Sequence, residues 1–239
     1  MMTFAECASE VLHDLLDKAR VLFIKPLRSS ILRVFNKDDF FICNETTLKY
    51  WSEIVDWVVS IDKHNETFDE YLGQVSLSSS YFTSESTENK NRIKSFERIC
   101  FILYSGAKDK YALKIKSLLE KIVGCIMTAE SSHPALLILI LFSLRILILK
   151  LSEISLSQLF ADLWPMLLAF FMEIFSKKLI KIEITNSISR NPNLLLAALK
   201  LIELISIANL AEFAHHEWIF VHDYFGTRFQ LSEPFHELN

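Results

Sequence analysis

The stretch KDKYALKIKSLLEKIVGCIM (Lys108–Met127) has the clearest periodicity in the sequence. Its apolar side chains recur at i, i+3, i+4, i+7, i+8 and i+11, a spacing that places them on one face of an α-helix. They are Ile115, Leu118, Leu119, Ile122, Val123 and Ile126. Lysine and serine side chains occupy another face of the same helix. The stretch therefore predicts an amphipathic helix that packs against its neighbours through one side.

The composition of the whole chain also favours helices. Hydrophobic residues make up 51% of the 239 residues, yet there are only 4 Gly and 5 Pro. Sheets joined by tight turns need more of both residues. The units Asn89–Met127 and His133–Lys181 span 39 and 49 residues, close to the length of HEAT and armadillo repeats, which is about 40–47 residues. We therefore expect an all-α fold of stacked antiparallel helix pairs, an α-solenoid.

Helix signals and breakers organise the rest of the chain into one helical domain. The predicted helices are Thr3–Lys25, a short one from Pro26 to Phe35, Thr46–Ser60, Thr67–Val75, Ser155–Lys181 kinked or split at Pro165, Asn193–Ala208 and Leu210–Val221. Ser76–Thr87 is rich in Ser and Thr and is predicted to be a mobile loop between subregions 1–77 and 88–221. Residues 222–239 are predicted to form an irregular tail.

One segment, ALLILILFSLRILILKL (Ala135–Leu151), is almost entirely apolar. A membrane span usually needs about 20 such residues, and Arg145 and Lys150 interrupt this one. We expect a central helix that is buried by neighbours on all sides. Because an unpaired buried charge is costly, Arg145 should then have an acidic or carbonyl partner.

The sequence offers no recognisable catalytic motif. There is no Gly-rich nucleotide loop and no G-x-S-x-G elbow, so we expect neither enzymatic activity nor a cofactor. The net charge of −4 argues against binding to nucleic acid. The cysteines Cys7, Cys43, Cys100 and Cys125 lack metal-site spacing and are typical of a reducing cytosol. No signal peptide is expected at the N-terminus.

Glu212, His215 and His222 are the best candidates for metal ligands, because they could share one helix face. No further ligand is apparent elsewhere in the sequence. An outward-facing polar helix end, with Phe213, Trp218 and Phe220 turned inward, explains the cluster better. We therefore predict no metal site.

The helix Asn193–Ala208 is apolar on more than one side, which suggests that another protein covers it. The predicted partner-binding residues are Leu194, Leu195, Leu199, Leu201 and Ile202. The alternative is that the following helix covers this surface with Phe213, Trp218 and Phe220. A second candidate contact is with anionic lipid through Lys177, Lys178 and Lys181, although stabilisation of a helix C-terminus explains these lysines better.

Four stretches, in order, resemble the C-terminal region of the Dopey family. They are Leu48–Val75, Arg92–Val123, Leu141–Phe175 and Asn193–Val221. The most specific pieces are Leu-Trp-Pro at Leu163–Pro165 and Trp-Ile-Phe-Val at Trp218–Val221. The chain departs from the family pattern at Ile202-Glu203, where the family has Leu-Asp.

The resemblance implies a non-enzymatic scaffold, part of or related to a much larger protein, in traffic between endosomes and the trans-Golgi network. It implies a peripheral position on the cytosolic face of Golgi and endosomal membranes. The implied partners are an ARF-GEF-like Golgi scaffold, an aminophospholipid flippase and a second copy of the chain. The alternative is an integral or lipid-binding helical membrane protein that uses Ala135–Leu151 and Leu163–Phe175.

Overall fold

The structure, a computed structural model, describes residues 4–61, 66–75, 85–127, 133–179, 191–208 and 210–217. Within these residues the regular elements are all helical, which confirms the predicted all-α class. The helices are α1 (Phe4–Phe35), α2 (Glu45–Ser60), α3 (Glu66–Val75), α4 (Glu85–Ser105), α5 (Ile115–Met127), α6 (Pro134–Lys150), α7 (Glu153–Leu179), α8 (Pro192–Ile207) and α9 (Ala211–Ala214). Two short 3₁₀ turns, Phe40–Ile42 and Ala112–Lys114, lie between them.

The helices pack in two rows, and helices that alternate along the chain are neighbours in space. One row contains α2, α4, α6 and α8, and the other contains α3, α5, α7 and α9. Contacts such as α3 with α4, α5 with α6 and α7 with α8 join the rows, and α1 packs on α2. Each helix therefore contacts near neighbours along a stack, the arrangement expected of an α-solenoid.

The ends of the helices show how α4, α5 and α6 run. The Lys150 ammonium at the end of α6 donates to the Gly106 carbonyl just after α4, at 2.9 Å, so these two helices end together. Arg92, near the start of α4, donates to the sulfur of Cys125, near the end of α5, at 3.3 Å. Thus α5 runs against α4. The unit predicted at Asn89–Met127 is antiparallel, but α4 makes its larger contacts with α6 and α3.

Helix α1 is one run of helical residues, whereas the sequence predicted a break at Pro26. It is nevertheless sharply bent. Ser9 and Phe35 would be about 39 Å apart along a straight helix. Yet both ends of α1 lie near Trp51. Ser9 accepts a 3.0 Å hydrogen bond from the Trp51 indole. At the other end, the Phe35 ring lies 5.0 Å from the Phe40 ring, which itself lies 5.3 Å from the Trp51 ring. An interior proline removes one helical hydrogen bond and clashes with the preceding turn, which accounts for a bend at Pro26.

Other boundaries also differ from the sequence predictions. Helix α5 begins at Ile115 and not at Lys108, because Asp109 adopts a left-handed conformation (φ 58°) that interrupts the helix. Asp109 is held there by the end of α6. Its N–H donates to the Lys150 carbonyl, and its carboxylate accepts from the Ser152 N–H, both at 2.9 Å. Helix α4 begins at Glu85, inside the predicted mobile loop, and residues 76–84 lie outside the described part of the chain. Helix α7 continues through Pro165. The predicted tail, 222–239, is likewise outside the described residues.

The apolar helix α6 lies in the middle of its row and forms much of the core. Nine of its residues are buried, although Phe142 and Leu149 are exposed. The predicted all-round burial is therefore incomplete. Arg145 is half-buried, and its Nε atom has no hydrogen-bond partner among the residues that the structure describes, so the partner expected for this charge is not found at that atom.

Candidate functional site

Helix α8 carries the surface that the sequence predicted to bind a partner. Its start is fixed by Asn191, whose side-chain oxygen accepts hydrogen bonds from the Asn193 N–H at 3.0 Å and the Leu194 N–H at 3.2 Å. Pro192 occupies the first helical position, where its missing N–H costs nothing. The predicted helix Asn193–Ala208 is thus confirmed as Pro192–Ile207.

One face of α8 belongs to the protein core. Leu194, Ala198, Leu201 and Ile205 are fully buried, at a spacing of four, three and four residues. This spacing keeps them on one side of the helix. Since α8 makes its most extensive contact with α6, this stripe is the side that faces α6.

The opposite face of α8 is exposed and still apolar. Leu196, Leu199 and Ile207 are 50%, 49% and 74% exposed. At 100° per residue they point away from the buried stripe, together with exposed Glu203. We call these three apolar residues the outer face of α8. Large apolar side chains beside charged ones are typical of protein–protein contact surfaces.

The predicted partner-binding residues divide between the two faces. Leu194 and Leu201 lie in the chain's own core, while Leu195 and Ile202 are half-buried at the edges of the helix. Of the five, Leu199 lies on the outer face. Partner binding stays a prediction. Leu196 and Ile207 were not singled out, because a helix that is apolar on two sides gives no sequence signal for which side faces the core.

The position of α8 in the stack suggests what its apolar outer face could contact. It is the last helix of its row among the residues the structure describes, and its inner stripe already faces the preceding helix of that row. A terminal helix in a stack normally presents a polar outer side, because nothing packs beyond it. An apolar outer side is suited to another helix that continues the row.

The lysines predicted to contact lipid are not placed by the structure. Lys177 and Lys178 belong to α7, but their side chains are outside the described part, and so is the whole of Lys181. Lipid contact through these residues therefore stays a prediction.

His216, which follows His215 of the candidate metal cluster, has a structural role. The Trp164 indole N–H donates to His216 Nδ1 at 3.0 Å, and the Phe213 ring meets Trp164 edge-on at 5.6 Å. His215 is exposed. No group of three or more potential metal ligands occurs among the described residues, and His222 is not one of them.

One described helix is long and apolar enough to cross a membrane. Within α7, Glu153–Met172 has 20 residues and a mean hydropathy of 1.5, and 44% of this window is buried. Helices that form the core of soluble proteins have the same length and composition. Trp164 and Phe171 are buried within the stack, as a core helix requires.

A two-row stack of helices is the architecture of the α-solenoid class of proteins. Comparison with protein-family models matches residues 5–235 to the family described as "DOP1 C-terminal". The chain belongs to this family, and the resemblance to the Dopey C-terminal region is confirmed. The family is associated with Golgi and endosome trafficking in general. No curated protein and no solved structure matches the chain.

Proposed function

We propose that this chain is a non-enzymatic scaffold domain in vesicle and protein traffic between endosomes and the trans-Golgi network. It acts through protein–protein contacts while it is held peripherally on the cytosolic face of the membrane. Membership of the DOP1 C-terminal family supports the pathway. The outer face of α8 supports the mode of action, because it exposes three large apolar residues on the last helix of its row among the described residues.

The proposed partner is an ARF-GEF-like Golgi scaffold, which would place one of its own helices against the outer face of α8. Docking of this kind uses apolar anchors at i, i+3 and i+4 spacing, and a few large anchors supply most of the binding energy. A second copy of the chain could instead pair through the same face, as a symmetric dimer requires. An aminophospholipid flippase is a further proposed partner.

Charge substitutions on α8 test the proposal. Leu199→Glu should weaken binding to the purified scaffold at least tenfold while circular dichroism stays helical. Leu113→Glu is the matched control, because Leu113 is 97% exposed and lies outside α8. Leu201→Glu should instead unfold the domain, since it buries a charge in an apolar core.

The same variants separate the partners. Light scattering reports whether the wild type dimerises and whether Leu199→Glu prevents it. The proposed contact is wrong if Leu199→Glu binds the scaffold as tightly as the wild type and the wild type is a monomer.

The apolar helix α7 favours one other function, that of an integral membrane protein. Extraction of membranes with alkaline carbonate distinguishes the two. A peripheral scaffold is released to the supernatant, whereas a membrane-spanning protein stays with the bilayer.

A further inference from the structure

The part of α1 that precedes Pro26, here called the α1 arm, lies at the edge of the stack. Among the described helices, α1 has its main contact with α2. On the inner side of the arm, Ser9 bonds to Trp51 and Leu16 is fully buried. The other side of the arm faces away from the stack, where a terminal helix normally presents polar residues.

The outer side of the α1 arm is instead largely apolar. Val11, Leu15 and Leu22 are 64%, 38% and 73% exposed. They belong to a row of exposed residues that are alternately three and four positions apart, namely Ala8, Val11, Leu15, Lys18, Leu22 and Lys25. This alternation is the a/d repeat with which one helix packs along another in a coiled coil. We call these six residues the α1 seam.

Charges along the α1 arm are segregated by sign. The first half has three acids and the second half has two lysines, namely Glu10, Asp14, Asp17, Lys18 and Lys25. At about 100° per residue, all five lie to the same side of the midline of the seam. Neither lysine forms an ion pair with another residue that the structure describes.

This charge distribution indicates which helix fits the seam. A helix with an acidic first half and a basic second half is complementary to a copy of itself that runs in the opposite direction. A parallel copy would place like charges side by side, which is unfavourable. Antiparallel pairing of two identical helices also satisfies the twofold symmetry that a homodimer requires.

We propose that the α1 seam pairs with the α1 seam of a second copy of this chain, with the two arms antiparallel. In the register that pairs the whole seam, Val11 packs against Leu22 of the second copy. Lys18 then lies beside Asp14 of the second copy, and Lys25 lies near its Glu10. A charged residue within an apolar seam weakens the pair but fixes its register, which is the role of Lys18.

Sedimentation equilibrium of the intact chain over a range of concentrations measures this pairing. We expect a monomer–dimer equilibrium that shifts toward monomer as salt is added, because salt screens the ion pairs. Leu22→Glu should raise the dissociation constant at least tenfold, since large apolar anchors dominate helix pairing. Leu149→Glu is the matched control, because Leu149 is a leucine of similar exposure, 64%, on α6. Circular dichroism checks that both variants are folded.

Charge reversal tests the complementarity. Lys18→Glu with Lys25→Glu gives an arm that is acidic throughout, and Glu10→Lys with Asp17→Lys gives one that is mainly basic. Each double variant alone should be monomeric, whereas an equimolar mixture of the two should form a dimer.

Disulfide formation tests the orientation. Cys7 is exposed near the start of the α1 arm, and it is about 27 Å from residue 25 along the same helix. A disulfide between these two positions therefore joins two molecules. In Lys25→Cys, mild oxidation should link Cys7 of one molecule to position 25 of the other, as peptide mass spectrometry would show.

The proposal is overturned if the chain is monomeric at every concentration, or if folded Leu22→Glu dimerises as tightly as the wild type. It is also overturned if oxidation of the wild type joins Cys7 to Cys7, which a parallel pair would give. Loss of the dimer in Leu199→Glu but not in Leu22→Glu would assign self-association to the outer face of α8. Because scaffold binding is measured separately, failure here leaves the proposed function untouched.

Discussion

Arg98 on α4 and Leu144 on α6 are both almost fully buried, but the two side chains lie in different surroundings. The Arg98 guanidinium lies over aromatic rings, 4.5 Å from the centre of Phe41 and 5.2 Å from that of Phe35. One of its nitrogens donates to the Lys37 carbonyl at 2.6 Å. Leu144 belongs to a helix whose buried residues are, apart from one serine, Leu and Ile.

This difference extends to the two halves of the molecule. The ion pairs between described residues all involve residues up to Lys114, including Lys94 with Asp38 at 2.5 Å and Lys114 with Asp69 at 2.5 Å. In the described helices α6 to α8, packing is mostly aliphatic. The N-terminal half therefore depends on directional contacts as well as burial, whereas the C-terminal half depends chiefly on shape and volume.

The buried guanidinium also has a cost. Its Nε and Nη1 atoms have no hydrogen-bond partner in the described structure, and the nearest carboxylate, that of Glu97, is 4.0 Å from Nη1. Burial lowers the pKa of Arg98 and raises that of Glu97. The aromatic rings and the Lys37 carbonyl compensate for part of the lost hydration.

The largest effect is expected in the aliphatic half. Leu144→Ala removes a fully buried side chain and leaves a cavity, so it should lower the free energy of unfolding by about 3–5 kcal/mol. Leu144→Met keeps the volume and should cost less than about 1.5 kcal/mol. Urea unfolding followed by circular dichroism measures both. If both variants lost the same free energy of unfolding, the stability of this half would not depend on buried volume alone.

A smaller loss is expected at Arg98. Arg98→Ala should lower the free energy of unfolding by about 2–4 kcal/mol, because it leaves a cavity and an unpaired Lys37 carbonyl but also removes a poorly solvated charge. Arg98→Lys keeps the charge but loses the planar stacking, and should still cost about 1–2 kcal/mol. The same urea titration applies. If the Lys variant is as stable as the wild type, the aromatic contacts contribute nothing and the comparison between the halves fails.

The smallest effect is a pH dependence at His13. Burial lowers the pKa of this imidazole, but the hydrogen bonds and charges of Glu53, at 2.8 Å, and of Asp14 together outweigh it, so the pKa is raised above its ordinary value of 6.5. Protonated His13 therefore stabilises the fold fully below pH 6.5, and the contribution is lost as the pH rises through the raised pKa.

Thermal unfolding at a series of pH values checks this. Because Glu53 is nearly half exposed, the contribution should be about 1 kcal/mol or less. His13→Gln should remove the loss of stability above pH 6.5. An unchanged pH profile in that variant would assign the effect to another group.

Several features were predictable from local sequence. The single apolar stripe of α5 predicted that helix, and the Asn191-Pro192 pair at the start of α8 is a signal of the same local kind, because capping and periodicity act within one or two turns. The shortage of Gly and Pro predicted the all-α class. Four stretches of sequence, which follow one another in the same order as in the family, were enough to identify the Dopey C-terminal region, and the family match confirms it.

Tertiary structure decided the remaining features, since they depend on residues far apart in the chain. The start of α5 is set by Asp109 bonding to the end of α6, a contact across more than 40 residues. The inner and outer faces of α8 have similar composition, so only packing against α6 shows that Leu201 is core and Leu199 is surface. The bend of α1 likewise arises only when both of its arms meet α2. Sequence periodicity specified which residues form helices, but the choice between alternative apolar faces was left to the packing of the whole stack, because burial is a property of neighbours and not of the residue itself.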